Sequence, residues 1–383
     1  LPRFSEDGLE VTFFKEGGIS VLSYRELIVK DSEGRLLASG FIPIRGGIRI
    51  SIYDDNAIYP ITIDPMLSAP AWTWEPNQAL ASFGQSVSSA GDVNGDGYSD
   101  VIISAHRYDN GQNEEGRVYV FHGSASGLSS SPDWTAESDQ AEAYFGHSVS
   151  TAGDVNGDGY SDVIIGARLF DNGQTNEGRA FVYHGSSSGL SPTPAWTAES
   201  DQGEAFFGMS VSTAGDINGD GYSDVIVGAP YYQSGVLEED EGAVFFYPGS
   251  SSGLSPTSTW SRQGNLAGAN FGYSVSNAGD VNGDGYSDII VGARYYSNGQ
   301  SEEGRVYVYP GSNKGLQAAI WIKELDIANA NFGYSVSDAG DVNGDGYGDV
   351  TIAAPGTALA YVYHGSSSGP GSSAAWTGTG ASC

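Results

Sequence analysis

Residues 92–100 read DVNGDGYSD, and the phrase returns as DVNGDGYSD at 154–162, DINGDGYSD at 216–224, DVNGDGYSD at 280–288 and DVNGDGYGD at 341–349. Successive copies begin 62, 62, 64 and 61 residues apart. A period of that length, with room for several short strands per unit, is the spacing of propeller blades; helical repeats are usually shorter and rich in Leu and Ala. Working outward from the second copy, alternation marks a strand over 147–152 and the acidic phrase returns the chain into an apolar strand over 162–167. A third strand follows over 179–184, and a fourth is centred on Trp196. The units fall near residues 83–144, 145–206, 207–270, 271–331 and 332–383. The expected fold is all-β, a propeller of four-stranded blades with five units visible.

Composition agrees with this reading. The chain has 56 Gly, 23 Tyr and 7 Trp against 2 Met, a profile of short strands and tight turns. Its 47 acidic and 16 basic residues give a formal charge of −31, which argues against nucleic acid and anionic membranes as partners. No run of about 18 apolar residues is present, so no direct membrane insertion is expected. The single cysteine, Cys383, allows no disulfide within the chain.

The acidic phrase has the chemistry of a cation loop. Ca²⁺ takes about six to eight oxygens, and a short loop supplies them when carboxylates and carbonyls alternate along a tightly turned backbone. Asp92, Asn94 and Asp96 offer side-chain oxygens from alternate positions, Tyr98 offers its carbonyl, Asp100 closes the shell, and Gly97 permits the turn. Turn chemistry alone would also favour Asn, Asp and Gly, but a hairpin needs two such residues. Here three Asp and one Asn crowd together five times, an arrangement that repels itself without a cation. An EF-hand is excluded, because Ile103, Ile165, Val227, Val291 and Ile352 stand where its closing Glu belongs. Mg²⁺ suits the loops less well, since it prefers a small octahedral shell that keeps water. Five Ca²⁺ ions, removing two negative charges each, would bring −31 to −21.

The frame around the loops resembles the FG-GAP repeat family, the blades of the integrin α headpiece and of many bacterial surface proteins. Each unit opens on Phe-Gly, at 83, 145, 207, 271 and 332, and carries a late tryptophan, Trp134, Trp196, Trp260, Trp321 or Trp376. Gly228-Ala229-Pro230 and Ala353-Ala354-Pro355 stand at the GAP position, whereas Ala105-His106, Ala167-Arg168 and Ala293-Arg294 depart from it at the last residue. The resemblance covers residues 68–383. It carries the loop ligands to every unit: beside the first set, Asp154, Asn156, Asp158, Tyr160 and Asp162; Asp216, Asn218, Asp220, Tyr222 and Asp224; Asp280, Asn282, Asp284, Tyr286 and Asp288; and Asp341, Asn343, Asp345, Tyr347 and Asp349. The integrin-like ring has seven blades. Either the segment before the first unit, with Trp72 and Trp74, adds strands, or the ring has five.

Residues 1–67 read as a separate small antiparallel β domain, with alternating stretches at 9–14, 19–24, 26–30, 35–44, 47–53 and 59–63. The end of this segment, residues 59–65, resembles one that precedes FG-GAP arrays in bacterial surface proteins.

No catalytic residue is expected. Three G-x-S-x-G matches, at 185–189, 249–253 and 365–369, end strands and do not lead into helices, so they read as turns. His122, His184 and His364 share one repeat position with Pro248 and Pro310, while His106 and His147 stand alone. Acidic, irregular loops at 109–115, 171–177, 233–241 and 297–303 form a candidate binding face for a protein or glycan ligand. Tyr108, Phe170, Tyr231, Tyr232, Tyr295 and Tyr296 are candidates for stacking there. The favoured function is a non-enzymatic, extracellular, secreted or cell-surface Ca²⁺-binding adhesion module. Two alternatives stay open: a homopolymeric fibre or surface-layer subunit built by strand exchange, and a carbohydrate-binding accessory domain of a larger secreted enzyme.

Overall fold

The structure, a computed structural model, describes residues 3–5, 11–14, 20–44, 47–54, 56–58, 61–67, 72–235 and 239–379. The chain divides into two compact units, Leu1–Trp74 and Glu75–Cys383. In the first, Arg3–Phe4, Val11–Phe14, Ser20–Lys30 and Thr62–Leu67 form a four-stranded antiparallel sheet, and Ser39–Ile44 pairs with Gly47–Ile52. The sequence stretches expected at 19–24 and 26–30 fall on one strand, Ser20–Lys30, whose pairing slips between Arg25 and Ile28; residue 19 lies outside the described residues. Val11, Leu27, Val29 and Phe41 make its small core.

The second unit is a propeller of five four-stranded antiparallel blades, each with its strands side by side in chain order. The strands of blade 1 are Phe83–Gly91, Asp100–Ala105, Arg117–Phe121 and Trp134–Glu137. Blade 2 has Phe145–Gly153, Asp162–Ala167, Arg179–Tyr183 and Trp196–Glu199. Blade 3 has Ser210–Gly215, Asp224–Ala229, Ala243–Tyr247 and Trp260–Gln263. Blade 4 has Phe271–Gly279, Asp288–Ala293, Arg305–Tyr309 and Trp321–Lys323. Blade 5 has Ser335–Gly340, Asp349–Ala354, Leu359–Tyr363 and Trp376–Thr379. No helix among the described residues is long and apolar enough to cross a membrane.

The core lies between blades. Ala152, Val155, Ile164, Val182 and Trp196 of blade 2 pack against Phe207, Val211, Val225, Val227 and Tyr247 of blade 3, and the other three successive pairs repeat the pattern. Because both faces of an inner blade are covered, its second strand is buried throughout. That is why DVIIGA reads as a continuous apolar run with no alternation. Neighbouring blades also touch through backbone: Phe207 donates its N–H to the Glu177 carbonyl at 2.9 Å, beside a parallel bridge between Gly178 and Phe207.

Blade 5 departs from this pattern. Val93, Val155, Ile217 and Val281 are buried under the following blade, but their counterpart Val342 is 57% exposed, as is Trp376. The inner-strand isoleucines Ile102, Ile164, Ile226 and Ile290 are replaced by Thr351, a half-buried polar residue. The far face of blade 5 is therefore open, and its sequence is the more polar for it.

Candidate metal loops

Each acidic phrase joins the first and second strands of its blade. In the second loop, Asp154 accepts the N–H groups of Gly157 at 2.7 Å, Asp158 at 3.1 Å and Gly159 at 2.8 Å, which winds the backbone around one carboxylate. Asn156 accepts the Asp158 N–H at 2.9 Å and donates to the Asp158 carboxylate at 2.9 Å, and Asp158 accepts the Tyr160 N–H at 3.1 Å. The first Asp of the other four loops, Asp92, Asp216, Asp280 and Asp341, is bonded in the same way.

The ninth-position carboxylates are held differently. Asp100, Asp162, Asp224, Asp288 and Asp349 are fully buried. Each accepts one N–H from the loop's second residue and one from the Gly after the third strand; for Asp162 these are Val155 at 2.9 Å and Gly185 at 2.8 Å. The other four make the corresponding bonds. The structure thus gathers the first, third and fifth residues of each loop through hydrogen bonds and uses the ninth as an internal strut. Among the described residues, no three Asp, Glu, His or Cys side chains already converge as a metal cluster.

The electrostatics still favour a cation. Burial, with a smaller push from the first and fifth aspartates of the same loops, holds the carboxyls of Asp162, Asp224 and Asp288 up at about 7 against the two N–H bonds that each accepts. All donors at hand are oxygens, and the Asp and Asn oxygens keep lone pairs beyond the N–H bonds they accept, which suits a hard divalent ion.

Half of the phrase has a second use that the sequence did not reveal. The Tyr160, Tyr222, Tyr286 and Tyr347 rings lie against Gly95, Gly157, Gly219 and Gly283 of the preceding loop, where a Cβ would not fit. The next residue donates its N–H to the preceding loop's first carbonyl: Ser161 to Asp92 at 3.0 Å, Ser223 to Asp154 at 2.9 Å, Ser287 to Asp216 at 3.1 Å and Gly348 to Asp280 at 2.8 Å. Each of the first four loops is locked by the Tyr-Ser or Tyr-Gly pair of the next blade, and Gly344 of the fifth has open space around it.

His184 Nδ1 lies 3.2 Å from the Asn156 amide nitrogen, at the loop end of its blade. The stacking candidates are half-buried, and several of their faces are taken. Arg117 lies 5.2 Å over Tyr108, Arg179 4.5 Å over Phe170 and Arg305 3.7 Å over Tyr296, while Tyr232 packs edge-on against Phe245. These rings do not form an open stacking platform.

Sequence reasoning also missed a repeated buried acid. Glu115, Glu177, Glu241 and Glu303 are fully buried, and three of them accept a loop N–H: Asn110 at 2.5 Å, Ser234 at 2.7 Å and Asn298 at 2.6 Å. Burial raises the Glu177 proton affinity, and the nearby Glu199 carboxylate adds to it. A raised folded-state pKa contributes stability below the unfolded value of about 4.3 and loses it as pH rises through the folded value. Glu177→Gln has no proton to lose. It should melt above the parent at pH 8, with the difference shrinking toward pH 4; melting curves of both proteins across that range check this, and a pH-independent difference contradicts it.

A five-bladed all-β propeller whose blades each carry an oxygen-rich hairpin loop defines a class of repeat proteins. The FG-GAP repeat family model matches residues 83–121, 145–183, 207–247, 271–309 and 332–371, and the chain belongs to that family. It is 38% identical over 186 residues to integrin alpha-4 of Xenopus laevis, an alignment covering 48% of this chain and 17% of the relative. It is 36% identical over 251 residues to integrin alpha-V of Gallus gallus, covering 62% and 22%. Integrin alpha-PS2 of Drosophila melanogaster is 33% identical over 223 residues, covering 55% and 15%. The chain thus spans about a fifth of the length of the relatives it matches.

Proposed function

We propose that this chain is a Ca²⁺-stabilised FG-GAP propeller that acts outside the cell, secreted or on its surface, as a non-enzymatic adhesion or binding module. The observation that carries the reading is the fivefold repetition of one oxygen-lined loop with a buried ninth carboxylate, which in the second, third and fourth loops is held at unfavourable proximity to two other aspartates. A divalent cation relieves that repulsion, and extracellular Ca²⁺ near millimolar fills sites that cytosolic levels leave empty. The ligands proposed are the first, third, fifth and ninth side chains and the seventh carbonyl of each loop. Similarity to integrin alpha chains supports the adhesion role, with a protein or glycan ligand on the face formed by the connections between second and third strands.

Metal stoichiometry tests the loop assignment. Asp220→Ala removes one proposed ligand and should lower the bound Ca²⁺ of the native protein from about five to about four. Tyr222→Ala keeps its own backbone carbonyl but unlocks Gly157, so it should weaken the loop at 154–162 more than its own loop. Mass spectrometry of native protein over a Ca²⁺ titration reads both. Unchanged stoichiometry in Asp220→Ala contradicts the assignment.

A second reading, self-association, has one observation in its favour. Blade 5 exposes Val342 and Trp376, and blade 1 exposes Val87 at 57% and Tyr98 at 45%, the counterparts of residues that meet across every internal blade junction. A second copy placed head to tail would bring these surfaces together. Sedimentation in 1 mM Ca²⁺ decides it: a concentration-dependent series of oligomers supports stacking, and a monomer at all concentrations refutes it.

A further inference from the structure

The strands of a blade have two ends, and the acidic loops occupy one of them. At the other end lie the Phe-Gly openings and the residues after the second strand, since Phe145 pairs with Ala167 and the loop connects the opposite ends of the same two strands. Arg168 and Arg294 stand there, each immediately after a second strand, beside Arg107, which lies 5.5 Å over the Tyr144 ring and is paired with Glu114 at 3.8 Å.

Their surroundings are aromatic. The Arg168 guanidinium lies 5.0 Å over the Tyr144 ring and 5.5 Å over Phe206, and its Nε is 3.3 Å from His147 Nδ1. The Arg294 guanidinium lies 3.6 Å from the Tyr273 ring centre and 4.2 Å from that of Tyr295. Tyr231 links the two groups, packing edge-on against Phe206 at 4.9 Å and placing its hydroxyl 3.4 Å from the Arg294 guanidinium. Both arginines therefore belong to one cluster, and both are half-buried with part of the side chain open to solvent.

Their charge is uncompensated. Among the described residues, Arg179 pairs with Glu199 at 2.6 Å and Arg305 with Glu324 at 2.7 Å, but no carboxylate lies within ion-pair distance of Arg168 or Arg294. In a chain of formal charge −31, two partly desolvated guanidinium groups without an acid are the exception. Beside them His106 is buried, with its Nδ1 meeting no hydrogen-bond partner. Packing does not demand arginine, because blades 3 and 5 carry Pro230 and Pro355 at the same repeat position. The Nε–H of Arg168 points to His147 at 3.3 Å, and Arg294 donates its Nε–H to Asn270 Oδ1 and an Nη–H to the Tyr231 hydroxyl, both at 3.4 Å, so stacking holds each guanidinium flat and leaves its remaining Nη–H donors to a planar acceptor.

We propose that this end of the propeller is a carboxylate-binding site, in which Arg168 and Arg294 receive an Asp or Glu side chain presented by a protein partner. A carboxylate matches the edge of a stacked guanidinium in a paired hydrogen-bonding geometry. The acidic connections at 109–115, 171–177 and 297–303 begin at the same end, so a polyanion such as a sulfated glycan is repelled while one carboxylate on a neutral or basic surface is admitted. The site deepens the binding-module reading by naming the partner's chemistry, and it is tested separately from the metal loops.

The test uses the full Ca²⁺-loaded chain and capped aspartate (acetyl-aspartyl-amide) as probe, followed by NMR of the arginine Nε–Hε signals. Capped asparagine and inorganic sulfate serve as comparisons. Two signals, assigned by their loss in Arg168→Gln and Arg294→Gln, should shift saturably with a midpoint of about 1–10 mM. Either substitution should weaken the remaining response at least about fivefold. No saturable shift, an equal shift with capped asparagine, or a response that survives both substitutions overturns the proposal. Tighter binding of sulfate than of aspartate overturns the carboxylate assignment. The aspartate–asparagine comparison on the parent protein stands even if a substitution impairs folding. A negative result with Ca²⁺ stoichiometry intact leaves the metal reading standing, whereas loss of the metal sites would defeat that reading alone.

Discussion

Chelating Ca²⁺ is expected to lower the melting temperature of this chain by on the order of 20 °C. A site occupied at 100 times its dissociation constant stabilises the folded state by about 2.7 kcal/mol. Several sites share one cooperative structure, because each of the first four loops is locked by the tyrosine and the N–H group of the next blade. For domains of 150–250 residues, each kcal/mol moves the melting temperature by about 2–4 °C, so the combined effect is large. Without metal, Asp154, Asp158 and Asp162 repel one another around a buried carboxyl, as do their counterparts in the third and fourth loops. Differential scanning calorimetry with 1 mM Ca²⁺ and with excess chelator measures the shift. A change of no more than a degree or two would reduce the loops to turn chemistry.

The second large effect is expected from Gly178→Ala. Gly178 has φ of +78°, a left-handed conformation that disfavours any side chain. A Cβ at this position would also collide with the backbone nitrogen and carbonyl oxygen of Phe207 in the next blade. Neither atom can swing aside as a flexible side chain would, because the Phe207 N–H is bonded to the Glu177 carbonyl and the Phe207 ring is buried against Phe245 and Tyr247. Strain and separation of blades 2 and 3 together should cost about 3 kcal/mol or more. Denaturant unfolding of the variant checks the magnitude. Gly173→Ala, at a φ of +104° with open space around it, provides a control that carries backbone strain without the collision. Equal losses in the two variants would show that the blade junction contributes nothing.

The blades were legible in the sequence because their signals are local. DVNGDGYSD, the Phe-Gly openings and the late tryptophans each lie within one unit, and repetition removes the ambiguity that a single apolar run would leave. The positions of the loop residues could likewise be read from their spacing. Contacts between residues about one repeat apart could not. Nothing in the phrase itself says that Tyr160 covers Gly95, or that Asp162 turns inward to two N–H groups while Asp154 and Asp158 stay at the surface. The buried Glu177 sits in a stretch that looks like a solvated acidic loop, and its burial comes from the neighbouring blade's Phe207 strand crossing beside it. Arg168 and Arg294 read as departures from the GAP pattern, and only the structure joins them through Tyr231. The open face of blade 5 did leave a trace, since Thr351 stands where four isoleucines precede it.

Ca²⁺ ions held by the loops can be located directly by diffraction. Crystals grown in 1 mM Ca²⁺ and measured at a long X-ray wavelength should show one anomalous peak in each of the five loops. Each peak should lie about 2.3–2.6 Å from oxygens of the first, third, fifth and ninth side chains and the seventh carbonyl. Well-ordered loops with no anomalous peak in any of them would show that the propeller is not held by Ca²⁺.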